Sequence, residues 1–469
     1  MTNTNENAQT VSMTDEQLKE TRAQLRASLA HTAHGEVANS IENCVAVLEH
    51  DPLLKDRIRK NLLTGCVSVF GKLPWAREGD MLCDEDLPFI LLHFEKYYSI
   101  TSEPRILYAL KLVANKHAYH PIRDYLNSLK WDGVPRVRYA LHHFLGAEVS
   151  DFNEECLRVF MLGAVKRVFH PGTKFELMLC LTGGQGAGKS TFLRFLAIKD
   201  DWFTDDLRKL DDEKVYLKFM GHWILEMSEM IATVNARSIE EIKSFLSRQK
   251  DTYKLPYDKF AADHPRQCVY AGTTNKMDFL PMDRTGNRRF LPIPIDPSQA
   301  EVHILDDEAA SRAYIKQMWA EIMTIYNSGE YRLCLSKEAE QQRQLVQTAF
   351  IPEDTTAGQI YDFMDHYPGD RVCSKLLYKE ALDHLFEEPK PWETREICDV
   401  VNSGIASGEL KGWRAFTSPK RFPKYGTQKG WERVNPNVNA ACVNRPPPER
   451  PVGTVFADDE DFSLLDMAS

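Results

Sequence analysis

The stretch GGQGAGKS, residues 183–190, decides the fold of the central part of this chain. It satisfies the pattern G-x-x-x-x-G-K-[ST], in which backbone N–H groups surround phosphate oxygens and the lysine reaches the β- and γ-phosphates. An apolar run, Phe175 to Leu181, precedes it, and a helical pattern, Thr191 to Ala197, follows it. The order of strand, glycine-rich loop and helix predicts a nucleotide-binding P-loop.

The loop predicts ATP and Mg²⁺ as the bound ligands. The hydroxyl of Ser190 is the expected metal ligand, and the helix that begins near Lys189 directs its positive end at the phosphates. The predicted nucleotide-binding residues are Gly183, Gly184, Gly186, Gly188, Lys189, Ser190 and Thr191. The alternative is a glycine-rich turn without nucleotide, which the flanking strand and helix patterns disfavour.

An acidic partner for the loop is expected at the end of a neighbouring strand, where it orders the metal and polarises the attacking water. The segment WILEMSE, residues 223–229, supplies two glutamates. We assign Glu226 to Mg²⁺ and Glu229 to water activation, although the two roles are interchangeable at this stage. Their spacing departs from the adjacent acidic pair usual in such motors. The alternative is a buried strand followed by a surface glutamate.

Two further candidates follow along the chain. Asn275 comes directly after the apolar strand Cys268 to Gly272 and is a candidate sensor of the γ-phosphate, although an asparagine at a strand end is commonly a turn former. Arg288 and Arg289, in the segment DRTGNRRF, are candidates for stabilising charge on the transferred phosphoryl group. A surface salt bridge is the alternative for both arginines.

Two segments combine basic and aromatic residues, as expected of nucleic-acid contacts. In YKLPYDKF, residues 253–260, we expect Lys254 or Lys259 to contact single-stranded DNA, while core packing explains some of the aromatic residues equally well. Near the C-terminus the predicted phosphate contacts to duplex DNA are Lys420, Arg421, Lys424 and Lys429. The alternative for this strip is a solvated face or a docking surface for a neighbouring subunit.

Length and composition suggest several domains. The chain has 469 residues, a net charge of −10 and no apolar run of membrane-spanning length. Its cysteines form no C-x-x-C pair, and its N-terminus lacks a secretory pattern, so we expect a cytoplasmic protein without a membrane partner. The expected segments are a disordered leader (1–14), an α-helical domain (15–150), a P-loop ATPase domain (151–335), a winged-helix-like domain (356–434) and a disordered acidic tail (435–469).

Together these motifs resemble the virulence-associated protein E family, which is similar to superfamily 3 helicases and AAA+-like motors. The resemblance is carried by GGQGAGKST, WILEMSE, residues 243–260, AGTTN and DRTGNRRF, and extends from about His120 to Phe290. It implies an AAA+-like α/β core and a ring, probably of six subunits, with ATP bound between them. It further implies that Arg288 or Arg289 reaches the neighbour's site and that a loop before Asn275 lines the pore.

Members of that family are typically encoded by phages, prophages and phage-inducible islands, where they are thought to open or unwind the replication origin in the bacterial cytoplasm. Primase activity, where present, comes from an additional N-terminal domain. Here the only acidic candidate for it is Asp84-Glu85-Asp86, which we interpret as a solvated surface run.

The leading functional hypothesis is therefore an ATP-driven DNA helicase or replication initiator. Single- and double-stranded DNA are its expected partners, together with replication proteins recruited through the acidic tail. One alternative is a P-loop motor that packages DNA, although no nuclease-like acidic cluster follows Ile295. The other is a DNA-binding or phage-interference factor that uses ATP as a switch without unwinding.

Overall fold

The computed structural model describes residues 13–207, 216, 219–228, 236–254, 260–276, 279–280, 287–351 and 354–434. The chain divides into two compact units, Met1–Pro352 and Glu353–Ser469. The acidic tail and nearly all of the proposed leader lie outside the described residues. In the part of the chain that is described, no helix combines the length and apolarity needed to cross a membrane.

The first unit begins with helices that surround a small antiparallel hairpin. Its elements are α1 (Asp15–Ser28), α2 (Ile41–His50), β1 (Ile58–Lys60), β2 (Val67–Val69), α3 (Asp86–Tyr98), α4 (Glu103–Lys116), α5 (Pro121–Asn127) and α6 (Val137–Leu145). Helix α1 starts at a capping box, in which the Thr14 hydroxyl accepts from Gln17 N and the Gln17 side chain accepts from Thr14 N. Residue 14 therefore caps the first helix rather than belonging to a leader.

Two buried aspartates tie these helices together. Asp51 is fully buried and accepts from the Tyr98 hydroxyl at 2.6 Å and from Arg22 Nε at 3.2 Å. Asp86 is 1% exposed and accepts from Arg77 Nε at 2.7 Å and from Trp75 Nε1 at 2.8 Å. The interpretation of residues 84–86 as a solvated run is therefore wrong for Asp86, because this carboxylate forms a buried ion pair.

A five-stranded parallel sheet forms the centre of the first unit. Its elements, with the helices and the hairpin around it, are α7 (Asp151–Phe169), β3 (Met178–Thr182), α8 (Lys189–Leu196), β4 (Phe203–Thr204), β5 (Ile224–Ser228), α9 (Ala236–Ser247), β6 (Lys250–Tyr253), β7 (Ala262–Pro265), β8 (Val269–Thr274), β9 (Phe290–Pro294), α10 (Glu308–Ser328) and α11 (Lys337–Thr348). The strand order is β4-β5-β8-β3-β9, so β3 lies between β8 and β9. The predicted α/β class is confirmed.

The sheet is buried because helices cover it. Every residue of β3 and β8 is buried, and both strands read as nearly continuous apolar runs, as expected of parallel strands. Helix α7 buries residues around most of its circumference. One hydrophobic core runs from Leu63 through α6 and α7 to Ala339, so the core is continuous across residue 150.

The second unit is a small α/β module of its own. Its elements are α12 (Thr355–His366), β10 (Arg371–Cys373), α13 (Ser374–Leu376, continued by one π-helical turn), α14 (Pro391–Ser407), β11 (Trp413–Ala415), β12 (Lys420–Phe422), β13 (Gly426–Gln428) and β14 (Gly430–Arg433). The strands form a sheet of order β10-β14-β11 and a separate hairpin of β12 with β13. Trp413, Phe422 and Trp431 lie in its core.

Candidate nucleotide site

The carboxyl ends of β3, β5 and β8 meet at one edge of the sheet, because neighbouring strands are parallel and in register there. Thr182 pairs with Thr274, and Thr273 with Ser228. The loop 183–188 leaves β3 at this edge and enters α8 at Lys189. The predicted order of strand, glycine-rich loop and helix is thus present, with the strand beginning three residues later than Phe175.

Two glycines of the loop have clear physical reasons. Gly188, which precedes α8, has φ of 77°, a left-handed conformation that side chains with a Cβ rarely adopt. A Cβ on Gly183 would lie 2.5 Å from Ile295 Cγ1, so only glycine fits between the loop and the end of β9. The loop backbone is therefore held close against the sheet.

The Lys189 side chain bridges the loop and the next strand end. Its Nζ donates to the carbonyl oxygens of Gly183 and Gly184, both at 2.7 Å, and to Asn275 Oδ1 at 2.9 Å. Lys189 is buried, and this burial lowers the pKa of its ammonium from the ordinary value. The positive charge is thus fixed among neutral oxygens at the mouth of the loop, where an anion would replace part of that coordination.

Ser190 connects α8 to β5. Its hydroxyl donates to Glu226 Oε1 at 2.6 Å, and the hydroxyl of Thr273 on β8 donates to the same oxygen. Glu226 is completely buried, and its second oxygen, Oε2, has no hydrogen-bond partner. Burial raises the pKa of the Glu226 carboxyl above its ordinary value, against the opposing effect of the two hydroxyl donors.

An unpartnered buried carboxylate oxygen next to a serine hydroxyl fits the oxygen ligands that Mg²⁺ takes in nucleotide sites. Within the described residues, no group of three His, Cys, Asp or Glu side chains could hold a metal ion by itself. A cation at Ser190 and Glu226 would therefore need further oxygens from phosphate and water.

A cavity of about 400 Å³ opens over the loop. It is lined by residues 185–191 of the loop and α8, by Ser228 and residues 273–275 at the strand ends, and by His303 and Leu305 beyond β9. The cavity brings together Lys189, Ser190, Thr191 and Asn275 from the predicted set, while Gly183, Gly184 and Glu226 contact it through Lys189 and Ser190. Glu229 lies outside the described residues.

Sequence reasoning missed Thr273, His303 and Leu305. The signal for Thr273 was available, because a residue two positions before Asn275 on a strand faces the same side as its neighbours across the sheet. No motif marked His303 or Leu305, which reach the cavity from an irregular segment between β9 and α10.

The predicted arginines lie at the opposite edge of the sheet. Arg288 and Arg289 precede β9 and both contact Glu176, with closest N–O distances of 3.2 Å. Phe290 pairs with Met178 at the start of β3, so the four-residue step to Thr182 puts roughly 13 Å of strand between these arginines and the loop. Within one chain they do not meet Lys189.

The predicted single-strand contacts fall on a hairpin. Strands β6 and β7 pair antiparallel, and Lys254 is exposed directly after β6, whereas Lys259 lies outside the described residues. Tyr253 stacks on His264 with ring centroids 3.8 Å apart, so core packing accounts for this aromatic residue. Phe260, in contrast, is 82% exposed next to the start of β7.

The C-terminal basic strip is divided by an ion pair. Lys420 on β12 is paired with Glu432 on β14, and Arg414 contacts the same carboxylate at 3.0 Å. The side chain of Lys420 also lies over the Phe416 ring, 4.4 Å from its centroid. Arg421, Lys424 and Lys429 are exposed on the hairpin and its flanks.

The parallel sheet flanked by helices places the central part of the chain among α/β proteins. Residues 126–351 match the family model of the virulence-associated protein E-like domain, so this part of the chain is a domain of that family. The resemblance predicted from the motifs is confirmed, and it extends beyond Phe290 to residue 351.

Solved structures similar to the chain include apo forms of the NrS-1 C-terminal region. One A-form structure is 11% identical with a TM-score of 0.46, covering 85% of this chain and 100% of that chain. A second is 12% identical with a TM-score of 0.44, covering 81% of this chain and 96% of that chain. No curated protein matches the chain. At this identity the functional assignment rests on the chain's own residues.

Proposed function

We propose that this chain is a Mg²⁺-dependent ATP hydrolase that powers a DNA helicase or replication initiator of a phage, prophage or phage-inducible island. The observation that carries the proposal is the position of the Lys189 ammonium, held by Gly183 O, Gly184 O and Asn275 Oδ1 at the end of β3. A fixed cation at a helix N-terminus beneath backbone N–H groups is the arrangement that binds a triphosphate.

The site residues have separate tasks in this proposal. Lys189 compensates the charge of the β- and γ-phosphates, and Asn275, its partner, lies where it contacts the γ-phosphate. Ser190 and Glu226 hold the metal side of the site, with Oε2 of Glu226 aimed at a metal-bound water. Glu229 polarises the attacking water. When bound, Mg²⁺ neutralises charge that develops on the transferred phosphoryl group.

Two surfaces are assigned to DNA. The β6–β7 hairpin, with Lys254 and the exposed Phe260, offers a cation and an aromatic ring to a single strand. In the second unit, the order of helix, strand, two helices and hairpin supports a winged-helix-like module, in which the β12–β13 hairpin is the basic wing. The pairing of Lys420 with Glu432 makes Arg421 and Lys424 the stronger candidates for phosphate contact.

The position of the two arginines supports an oligomeric site. Arg288 and Arg289 cannot reach Lys189 of their own chain, because they lie at the other edge of the sheet. In a ring of identical subunits, probably a hexamer, this edge would face the nucleotide of the neighbour. Arg288, 63% exposed at its side chain, is the better placed of the two.

Hydrolysis of ATP by the purified full-length chain tests the enzymatic part of the proposal. We expect Mg²⁺-dependent hydrolysis in the wild type, loss of it in Lys189→Ala and normal turnover in the matched surface variant Lys316→Ala. Glu229→Gln should bind ATP but not hydrolyse it. Equal turnover in the wild type and Lys189→Ala would overturn the assignment of the site. Hydrolysis without any unwinding of DNA would favour the ATP-switched alternative.

A further inference from the structure

The cavity over the phosphate loop has a second wall that the phosphate chemistry does not use. His303 and Leu305 line it from the segment between β9 and α10. Leu305 is 54% exposed, although it is a large apolar side chain, and His303 is exposed as well. Ile304 between them is fully buried, so the two outer side chains point away from the core on both sides of a buried anchor.

This wall is fixed next to the loop. The Cγ2 atom of Ile304 lies 3.5 Å from the place where a Cβ of Gly188 would be, so the segment packs directly on the last glycine of the loop. Val302 N donates to His143 O at 3.1 Å, which ties the segment to α6. A hydrogen bond of 2.9 Å from Asp306 N to His303 O closes a turn around Ile304.

The turn also sets the hydrogen-bonding role of the His303 ring. Leu305 N donates to His303 Nδ1 at 3.3 Å. A backbone N–H can only donate, so Nδ1 is the acceptor, and the proton of the neutral ring is on Nε2. His303 therefore presents an N–H donor, with the apolar Leu305 side chain two residues away.

We infer that His303 and Leu305 form the base-binding end of the site, so that the cavity takes a nucleoside di- or triphosphate rather than a polyphosphate alone. Leu305 packs against the face of the base, and His303 Nε2–H donates to a ring nitrogen or carbonyl of the base. A site of a few polar groups on an otherwise apolar wall is typical of small-molecule recognition. This inference rests on the proposed function, since it assumes that phosphates bind at Lys189.

The test compares the binding of ADP with that of pyrophosphate, each with Mg²⁺, by titration calorimetry on the full-length chain. The two ligands share a diphosphate and differ by the nucleoside, and neither requires hydrolysis to be prevented. His303→Asn keeps an oxygen near the position of Nδ1 to accept from Leu305 N but removes the Nε2 donor. Leu305→Ala removes the apolar contact, and Leu345→Ala, a 65% exposed leucine on α11, is its matched control.

We expect the wild type to bind ADP more tightly than pyrophosphate. His303→Asn and Leu305→Ala should each weaken ADP binding by about three- to tenfold, as expected for loss of one hydrogen bond or one apolar contact. Pyrophosphate binding should stay within about twofold, which shows that the variants are folded. Leu345→Ala should match the wild type for both ligands.

Two results would overturn the inference while leaving the phosphate site intact. One is equal affinity of the wild type for ADP and pyrophosphate, and the other is an unchanged preference for ADP in both variants. A wild type that binds neither ligand would overturn the proposed function itself, and the inference with it.

Discussion

The Ser190 hydroxyl donates a 2.6 Å hydrogen bond to Glu226 Oε1 and thereby joins the first turn of α8 to the buried strand β5. Thr273 donates to the same oxygen from β8, so three elements converge on one carboxylate. Both donors use Oε1, which leaves Oε2 buried without a protein partner. An uncompensated carboxylate oxygen in the core is costly, and a cation bound beside it would offset that cost.

The first prediction concerns this carboxylate. Glu226→Gln keeps an oxygen that accepts from Ser190 and Thr273 but removes the negative charge, so the Mg²⁺ concentration for half-maximal ATP hydrolysis should rise by about tenfold or more. A metal titration of the ATPase measures it. Glu308→Gln, which changes an exposed glutamate of α10, is the control. An unchanged Mg²⁺ requirement in Glu226→Gln would remove Glu226 from the metal site.

A second prediction concerns the arginines that lie at the far edge of the sheet. Arg288→Ala/Arg289→Ala and Lys189→Ala should each lack ATPase activity alone, yet mixing the two proteins should restore part of it. Mixed oligomers contain some sites with an intact lysine from one subunit and intact arginines from its neighbour. ATP hydrolysis across mixing ratios, with subunit exchange verified, is the measurement. No recovery at any ratio would argue for a site built within one chain.

A third prediction separates the residues of the basic strip. Arg421→Ala and Lys424→Ala should each lower the magnitude of the slope of log affinity against log salt for duplex DNA by about 0.9, since each removes one phosphate contact. Lys420→Ala should change the slope less, because Glu432 already neutralises this lysine. The slope is measured on the full-length chain by fluorescence anisotropy. Identical slopes in all variants would identify the strip as a solvated face and leave the ATPase untouched.

The fourth prediction concerns stability at low pH. Burial by itself would raise the pKa of Asp51, but hydrogen bonds from His93, from the Tyr98 hydroxyl and from Leu53 N outweigh it and lower the pKa to about 2. A carboxylate with a depressed pKa stabilises the fold above its unfolded value of about 4, and this contribution is lost as the pH falls toward 2. The shift corresponds to about 2 kcal/mol.

Urea unfolding of the wild type and Asp51→Asn at several pH values checks this. The difference in unfolding free energy between the two proteins should be largest above pH 5 and should shrink by about 2 kcal/mol as the pH approaches 2. A difference that stays constant over this range would mean that the ionised form of Asp51 contributes nothing specific.

Much of the candidate site follows from local pattern. The loop motif fixes its own neighbours, because a glycine-rich turn of this kind requires a strand before it and a helix after it. Lys189 and Asn275 meet because each follows a strand of one parallel sheet, which the apolar runs before them already indicated. The assignment of Glu226 to the metal side agrees with its contact to Ser190.

The remaining features depend on contacts between residues that are distant in sequence. Nothing in the segment around His303 distinguishes a cavity wall from a surface loop, since only the burial of Ile304 against Gly188 places it. The acidic run that contains Asp86 reads as solvated, and its burial follows from Arg77 nine residues earlier. The β6–β7 hairpin was read as a loop because its strands are short and polar.

The central claim is that ATP hydrolysis at Lys189 drives the separation of DNA strands. A forked DNA substrate, incubated with ATP and the full-length chain while hydrolysis is followed in parallel, tests this most directly. We predict that the wild type hydrolyses ATP and unwinds the fork, and that Lys189→Ala does neither although it remains folded. Unwinding by Lys189→Ala at the wild-type rate, or a wild type that hydrolyses ATP without ever opening the fork, would contradict the account.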